Sequence, residues 1–273
     1  MSRPPVLERV PAGSPPAVVL GMDSMQGLQT ARILAWRGVP VVGVVSDGRH
    51  YAARTNVCER VVVATGRAEL FSFLESFGAT ARDKPVLVPC QDARVVNVSG
   101  ARDQLARWYR FVLPPPEVVE LLMEKTLFYP YAQANGFPVP ATALLSTREQ
   151  AVEAAEVLRF PAVVKPGMRT TRWTEATSEK AFKVDSPVEL MSVYDRVGEA
   201  ADVLIAQEWI PGEVSDLYSV NCYFSAEGEL LATFVAKKLR QWPRQTGQSS
   251  MGIEVRNDEA LDISIRLLSS VGY

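Results

Sequence analysis

Strand-sized apolar runs alternate with helix-sized amphipathic runs over residues 17–113, and this alternation limits the fold more than any other feature. An apolar run at 17–20 is closed by Gly21. Leu28, Ala31, Leu34 and Ala35 then recur at helical spacing within 24–37, and Gly38 is placed to cap that helix. A second β-branched run, 39–45, ends at Asp47-Gly48. A strand, a helix of about this length and another strand form a βαβ unit, so the sheet is parallel with helices on its faces. The spacing predicts further strands at 61–64, 85–89 and 111–113, and helices at 68–77 and 93–108.

Pro114-Pro115-Pro116 breaks the pattern and marks a domain boundary. Helical stretches follow at 117–124 and 127–135, ending at Gly136. Strand-like runs come next at 162–165, 203–207, 218–224 and 230–236, with a hairpin signal at Glu227-Gly228. This half reads as α+β. A final helix is expected over 259–270, with Leu261, Ile265 and Leu268 on one face.

Charge balance removes several classes of partner. With 29 basic against 31 acidic residues in 273, there is no positive field to attract nucleic acid or anionic lipid. No apolar run approaches the roughly 18 residues of a membrane span, and the N-terminal stretch has no apolar signal core. Cys58, Cys90 and Cys222 are scattered, as suits a reducing interior, so the cytoplasm is the expected compartment. A lone histidine, His50, excludes most metal and His-assisted nucleophile schemes.

Five segments carry candidate chemistry. The turn Gly21 to Gly27 follows a strand and opens a helix, so its amides suit a phosphate or carboxylate. It lacks the third glycine of a dinucleotide fingerprint, and a plain parallel-sheet turn is the alternative. Lys125 reads as a lysine between two helices. Lys165, in FPAVVKPG, stands at a strand end, where ligands gather in α/β proteins. QEWIPGE, residues 207–213, offers backbone donors and acceptors for a ring edge, with Trp209 and Ile210 as apolar cover. Lys237, Lys238, Arg240 and Arg244 form a cationic cluster beside a small polar loop at 245–250. Taken singly, each of these cations also reads as a solvated surface charge.

In this order, and at gaps of 40 residues from Lys125 to Lys165 and 42 from Lys165 to Gln207, the segments resemble the ATP-grasp superfamily. Gly136-Phe137-Pro138-Val139-Pro140 is similar to the family's "Gly, apolar, Pro, apolar, Pro". The resemblance implies a Rossmann-like, parallel-sheet pre-ATP-grasp domain at 1–116 and an α+β ATP-grasp domain at 117–273. Within the latter it implies a lid subdomain at about 140–206 and a partial C-terminal subdomain at 207–273. It implies that Lys125 and Lys165 contact ATP phosphates, and that Gln207 or Glu208, with Trp209 and Ile210, holds adenine. Glu213 or Asp216 would hold ribose, and Lys237 and Arg240 are the expected catalytic cations.

The stretch after Lys165 has one glycine, Gly167, where the family commonly has a glycine-rich loop. The pattern from Trp173 to Lys180 instead resembles the carboxylate–amine ligase branch and adds Lys180 as a phosphate contact. The family's Mg2+ ligands are expected beyond Tyr273, so the chain as given assigns no metal residue and is expected to be inactive without a C-terminal extension. The reading is an ATP-dependent ligase that joins a small, amino-acid-like carboxylate to an amine through an acyl phosphate. A homodimer is compatible with it. The alternatives are an ATP-binding module without turnover and, of less weight, a nicotinamide-dependent oxidoreductase.

Overall fold

The computed structural model describes residues 13–168, 170–242 and 248–273. Residues 1–12, most of the expected lead-in, lie outside the described residues, as do Arg244 and the start of its polar loop. The chain divides into two compact units that meet at Val119 and Glu120.

The first unit is a parallel α/β layer structure. β1 (Ala17–Leu20), α1 (Met25–Trp36), β2 (Val41–Val45), β3 (Arg60–Val63), α2 (Arg67–Thr80) and β4 (Val86–Pro89) follow in turn. The sheet order is β3-β2-β1-β4 and every pairing is parallel. Every residue of β1 and β2 is buried, as a strand covered on both faces requires. Leu70 and Leu74 of α2 pack with Val18, Leu20 and Val44 on one face, while Leu28 and Ala31 of α1 pack with Val19 and Val45 on the other.

The helix expected at 93–108 is broken. α3 (Asp92–Gly100) stops at Ala101, whose φ of −119° and ψ of 22° leave the helical region, and α4 (Arg102–Leu105) follows. Ser99-Gly100 is a weak helical pair, and the break lets Leu105 and Tyr109 turn into the core. The strand expected at 111–113 does not form. Only Arg110 bridges to Val86, because the three prolines that follow have no N–H to extend a ladder.

α5 (Pro116–Met123) leads into the second unit, which opens with α6 (Lys125–Ala134). β5 (Thr142–Leu145), α7 (Arg148–Val157), β6 (Ala162–Pro166), α8 (Thr171–Ala176), β7 (Phe182–Val184), α9 (Pro187–Val197) and β8 (Leu204–Glu208) build an antiparallel sheet in the order β5-β8-β6-β7. Its helices begin on strong caps: Thr147 and Gln150 form a capping box on α7, and Ser186 caps α9 with Pro187 in the first turn. Trp173, Leu190 and Leu204 are fully buried in its core.

β9 (Tyr218–Phe224), β10 (Leu230–Trp242) and β11 (Gln248–Glu254) form a second antiparallel sheet, followed by α10 (Asp258–Ser270). β10 runs six residues beyond its expected end at 236. β11 occupies a stretch read from sequence partly as loop, because Gln-Ser-Ser has no strand-like apolar alternation. No helix among the described residues is long and apolar enough to cross a membrane.

Candidate active site

Sheet register assembles the centre of the site. Gln207 on β8 lies opposite Thr142 on β5 and opposite Val163 on β6. Strand side chains alternate, so Lys165, two residues after Val163, shares the face of Gln207 and Thr142. The side chains then connect. The Lys165 ammonium donates to Gln207 Oε1 at 3.0 Å and to the Tyr129 hydroxyl at 3.4 Å. Gln207 Nε2 donates to Thr142 Oγ1 at 2.8 Å, and the Thr142 hydroxyl donates to the Pro140 carbonyl at 2.7 Å. Gln207 is only 6% exposed, and both ends of its amide are used. Lys165 therefore lies across the sheet face instead of projecting past the strand end.

Lys125 is the first residue of α6, and not a lysine between helices as its flanks suggest. A methyl group on Gly167 would come within 3.0 Å of the Thr126 side chain. The start of α6 is thus packed against the end of β6, and Tyr129, one turn after Lys125, reaches Lys165 from the same helix. Sequence reasoning missed Tyr129 and Thr142; the available signal was the four-residue step from Lys125 to Tyr129, one helical face.

The backbone after β8 is partly committed. The Glu208 amide donates to the Ala141 carbonyl and the Trp209 amide to the Pro161 carbonyl, each at 2.9 Å. The Ile210 amide has no hydrogen bond to the described residues. Glu208 points to the face opposite Gln207, where its carboxylate accepts from the Arg159 amide at 3.3 Å. The Lys183 ammonium lies 5.8 Å from the Trp209 ring centre. Glu213 and Asp216 cap each other's backbone around a short 3-10 turn, with the Glu213 amide donating to Asp216 Oδ2 at 2.8 Å.

Lys180 is exposed at the end of a turn anchored from below, where the indole N–H of buried Trp173 donates to the Glu179 carbonyl at 2.9 Å. Lys237 and Lys238 are neighbours on β10 and point to opposite faces. Lys237 pairs with Tyr218 and stands 5.8 Å from its ring centre, whereas the Lys238 ammonium donates to Gln241 at 2.7 Å. Arg240 follows a bulge in the β10–β11 ladder and is exposed. No group of three or more His, Cys, Asp or Glu able to hold a metal such as Mg2+ occurs among the described residues.

In the first unit the ends of β1 and β4 form a second polar centre. Gly21 has a φ of 75°, and Gly27 sits so close that a methyl group there would lie 2.2 Å from the Gly21 carbonyl. Ser24 caps α1 by accepting from the Gly27 amide. Asp23 accepts from the amide of Ser46 at 2.8 Å and also from its hydroxyl. Burial works to raise the Asp23 pKa, but these hydrogen bonds and the charge of Arg94 hold it below the ordinary value.

No family model matches the chain. It is 24% identical over 157 residues to the D-aspartate ligase of Enterococcus faecium (strain Aus0004), covering 54% of this chain and 37% of that protein. Among solved structures, an N5-carboxyaminoimidazole ribonucleotide synthetase in complex with ADP superposes with a TM-score of 0.68 at 16% identity, over 97% of this chain and 65% of that one. The L-amino acid ligase of Bacillus licheniformis gives 0.60 at 14% identity, over 95% and 60%. The chain shares the fold of these two solved structures, the ATP-grasp fold. It spans less than two thirds of the length of each of them.

Proposed function

We propose that the chain is an ATP-dependent ligase that joins a small carboxylate to an amine. The observation that carries this reading is the Lys165 ammonium, held by Gln207 and Tyr129 at the foot of the hinge in an ATP-grasp fold. Lys125, Lys165 and Lys180 would hold the phosphates, and Lys237 with Arg240 the transferring phosphoryl group. Adenine would lie along 208–210, with the Ile210 amide as donor and Trp209 as apolar cover, and Glu213 or Asp216 would take the ribose. Gln207 positions Lys165; its occupied amide leaves the ring edge to the backbone.

In the reaction a carboxylate oxygen takes the γ-phosphoryl group and ADP leaves. The amine nitrogen then attacks the acyl carbon, phosphate departs with that oxygen, and the nitrogen releases a proton. Fixed cations around the phosphates stabilise the charge that develops, which is most of what phosphoryl transfer asks of a protein. The D-aspartate ligase similarity supports an amino-acid-like substrate.

ATP at about 100 times its dissociation constant should add about 2.7 kcal/mol to stability, whereas NAD should add nothing. Lys165→Ala should weaken ATP binding roughly 10- to 150-fold by calorimetry, and Lys238→Ala much less. Stabilisation by NAD but not by ATP would sink the reading. ADP formation that requires both an acid and an amine is the corresponding activity test.

A further inference from the structure

Among the described residues, one buried side-chain nitrogen has no hydrogen-bond partner: Nε of Arg102. The rest of that guanidinium is held, its Nη2 donating to the Leu113 carbonyl at 3.0 Å and also to the Pro114 carbonyl. The side chain is thus fixed in place while its charge meets only neutral acceptors. A buried N–H without an acceptor costs free energy that a well-placed oxygen would recover.

The surroundings favour a charged oxygen. Arg102 lines a cleft of about 520 Å3 in the first unit, together with Arg67, Phe71, Ser99, Asp103 and Gln104. Arg67, the first residue of α2, lays its guanidinium 5.2 Å from the centre of the Phe71 ring, one turn on. That stacking holds the cation without neutralising it. Neither arginine is in an ion pair among the described residues, although Asp103 lies in the same cleft. Gln104 is committed to the Glu75 carboxylate, while Ser99, 5% exposed, forms part of the wall. The break at Ala101 between α3 and α4 leaves room beside the backbone: a methyl group on Gly100 would meet nothing within 4 Å. Two guanidiniums against one carboxylate leave the cleft cationic. Their planar N–H forks match the oxygens of carboxylates and phosphates two at a time.

We propose that this cleft binds a small molecule through its oxyanion, a carboxylate or a phosphate group, held between Arg67 and Arg102. An oxygen drawn onto the Arg102 fork supplies the acceptor that Nε lacks. The cleft shares no residue with the nucleotide site proposed above, so this site stands whether or not the chain is a ligase.

Inorganic phosphate and acetate are the probes, with chloride as the control at matched ionic strength. Each is titrated into the full 15N-labelled chain and followed by the arginine Nε–H resonances, that of Arg102 being identified by its loss in Arg102→Lys. The Arg102 resonance should move to saturation with phosphate, acetate or both, and chloride should leave it in place. Tighter binding of phosphate makes the ligand a phosphate monoester; tighter binding of acetate makes it a carboxylic acid. Arg67→Gln should weaken binding about 10-fold, and Arg67→Lys should recover part of the loss. Arg67 is exposed, so these variants keep the fold. Lys165→Ala, which removes a cation of the nucleotide site, should leave the affinity unchanged. An Arg102 resonance that neither anion moves, binding indifferent to Arg67→Gln, or binding lost in Lys165→Ala would each overturn the proposal.

Discussion

Gln207 links two of the site's polar groups, and its substitution separates positioning from bulk stability. Gln207→Leu removes the acceptor of Lys165 and the donor to Thr142 while keeping the volume. ATP affinity should fall about 10-fold, with a stability loss of about 1–3 kcal/mol in urea titrations. An unchanged affinity would mean that Lys165 needs no support from β8. Asp23 gives a pH-dependent counterpart. Its folded pKa lies below the unfolded value of about 3.9, so its contribution is full well above that pH and is lost as pH falls through the lower, folded value. The stability difference between the native chain and Asp23→Asn should therefore shrink as pH falls below about 4; a constant difference would contradict the shift. Lys165 and Gln207 were legible in sequence because strand ends and hinge spacing are local patterns. Tyr129 was not, since its place beside Lys165 depends on α6 packing against the end of β6, 36 residues further along the chain.

Among elements, α8 and the turn after it act as one piece. Trp173 fills the core of the β5-β8-β6-β7 sheet and reaches up to hold the Glu179 carbonyl, one residue before Lys180. Trp173→Phe keeps most of the packing and drops that bond, so stability should fall by about 1 kcal/mol, and amide exchange at 177–180 should quicken. Exchange as slow as in the native chain would show that the turn is held by other contacts. The first unit's elements were readable because βαβ periodicity changes visibly from 2 to 3.6. α7, β7 and α9 escaped notice: Ala151, Ala154 and Ala155 are small core residues that leave a faint apolar stripe, and β7 has only three residues. β10 passes its expected end because the ladder continues through Lys237, Lys238 and Arg240, cations that look loop-like in isolation.

Across the whole molecule, each unit has its own core: one cluster around Trp173 and Leu204, and two clusters on either face of the parallel sheet. Ligand binding should therefore register locally. ATP at saturation should slow amide exchange in β6 and β8 and leave β2 and β3 nearly unchanged, as read by mass spectrometry of peptic fragments. Equal protection of β2 would mean that nucleotide stabilises both units together.

The burial of Trp173 also has an optical consequence. Of the chain's five indoles, Trp173 is fully enclosed, while Trp36 and Trp242 are 66% and 77% exposed. A water-borne quencher such as iodide should extinguish Trp36, Trp242 and the 40% exposed Trp209, leaving a blue-shifted residual emission from Trp173 and the half-buried Trp108, which Trp108→Phe reduces to Trp173 alone. That residual colour, seated one hydrogen bond from the Lys180 turn, makes the unlabelled chain its own gauge of what happens there.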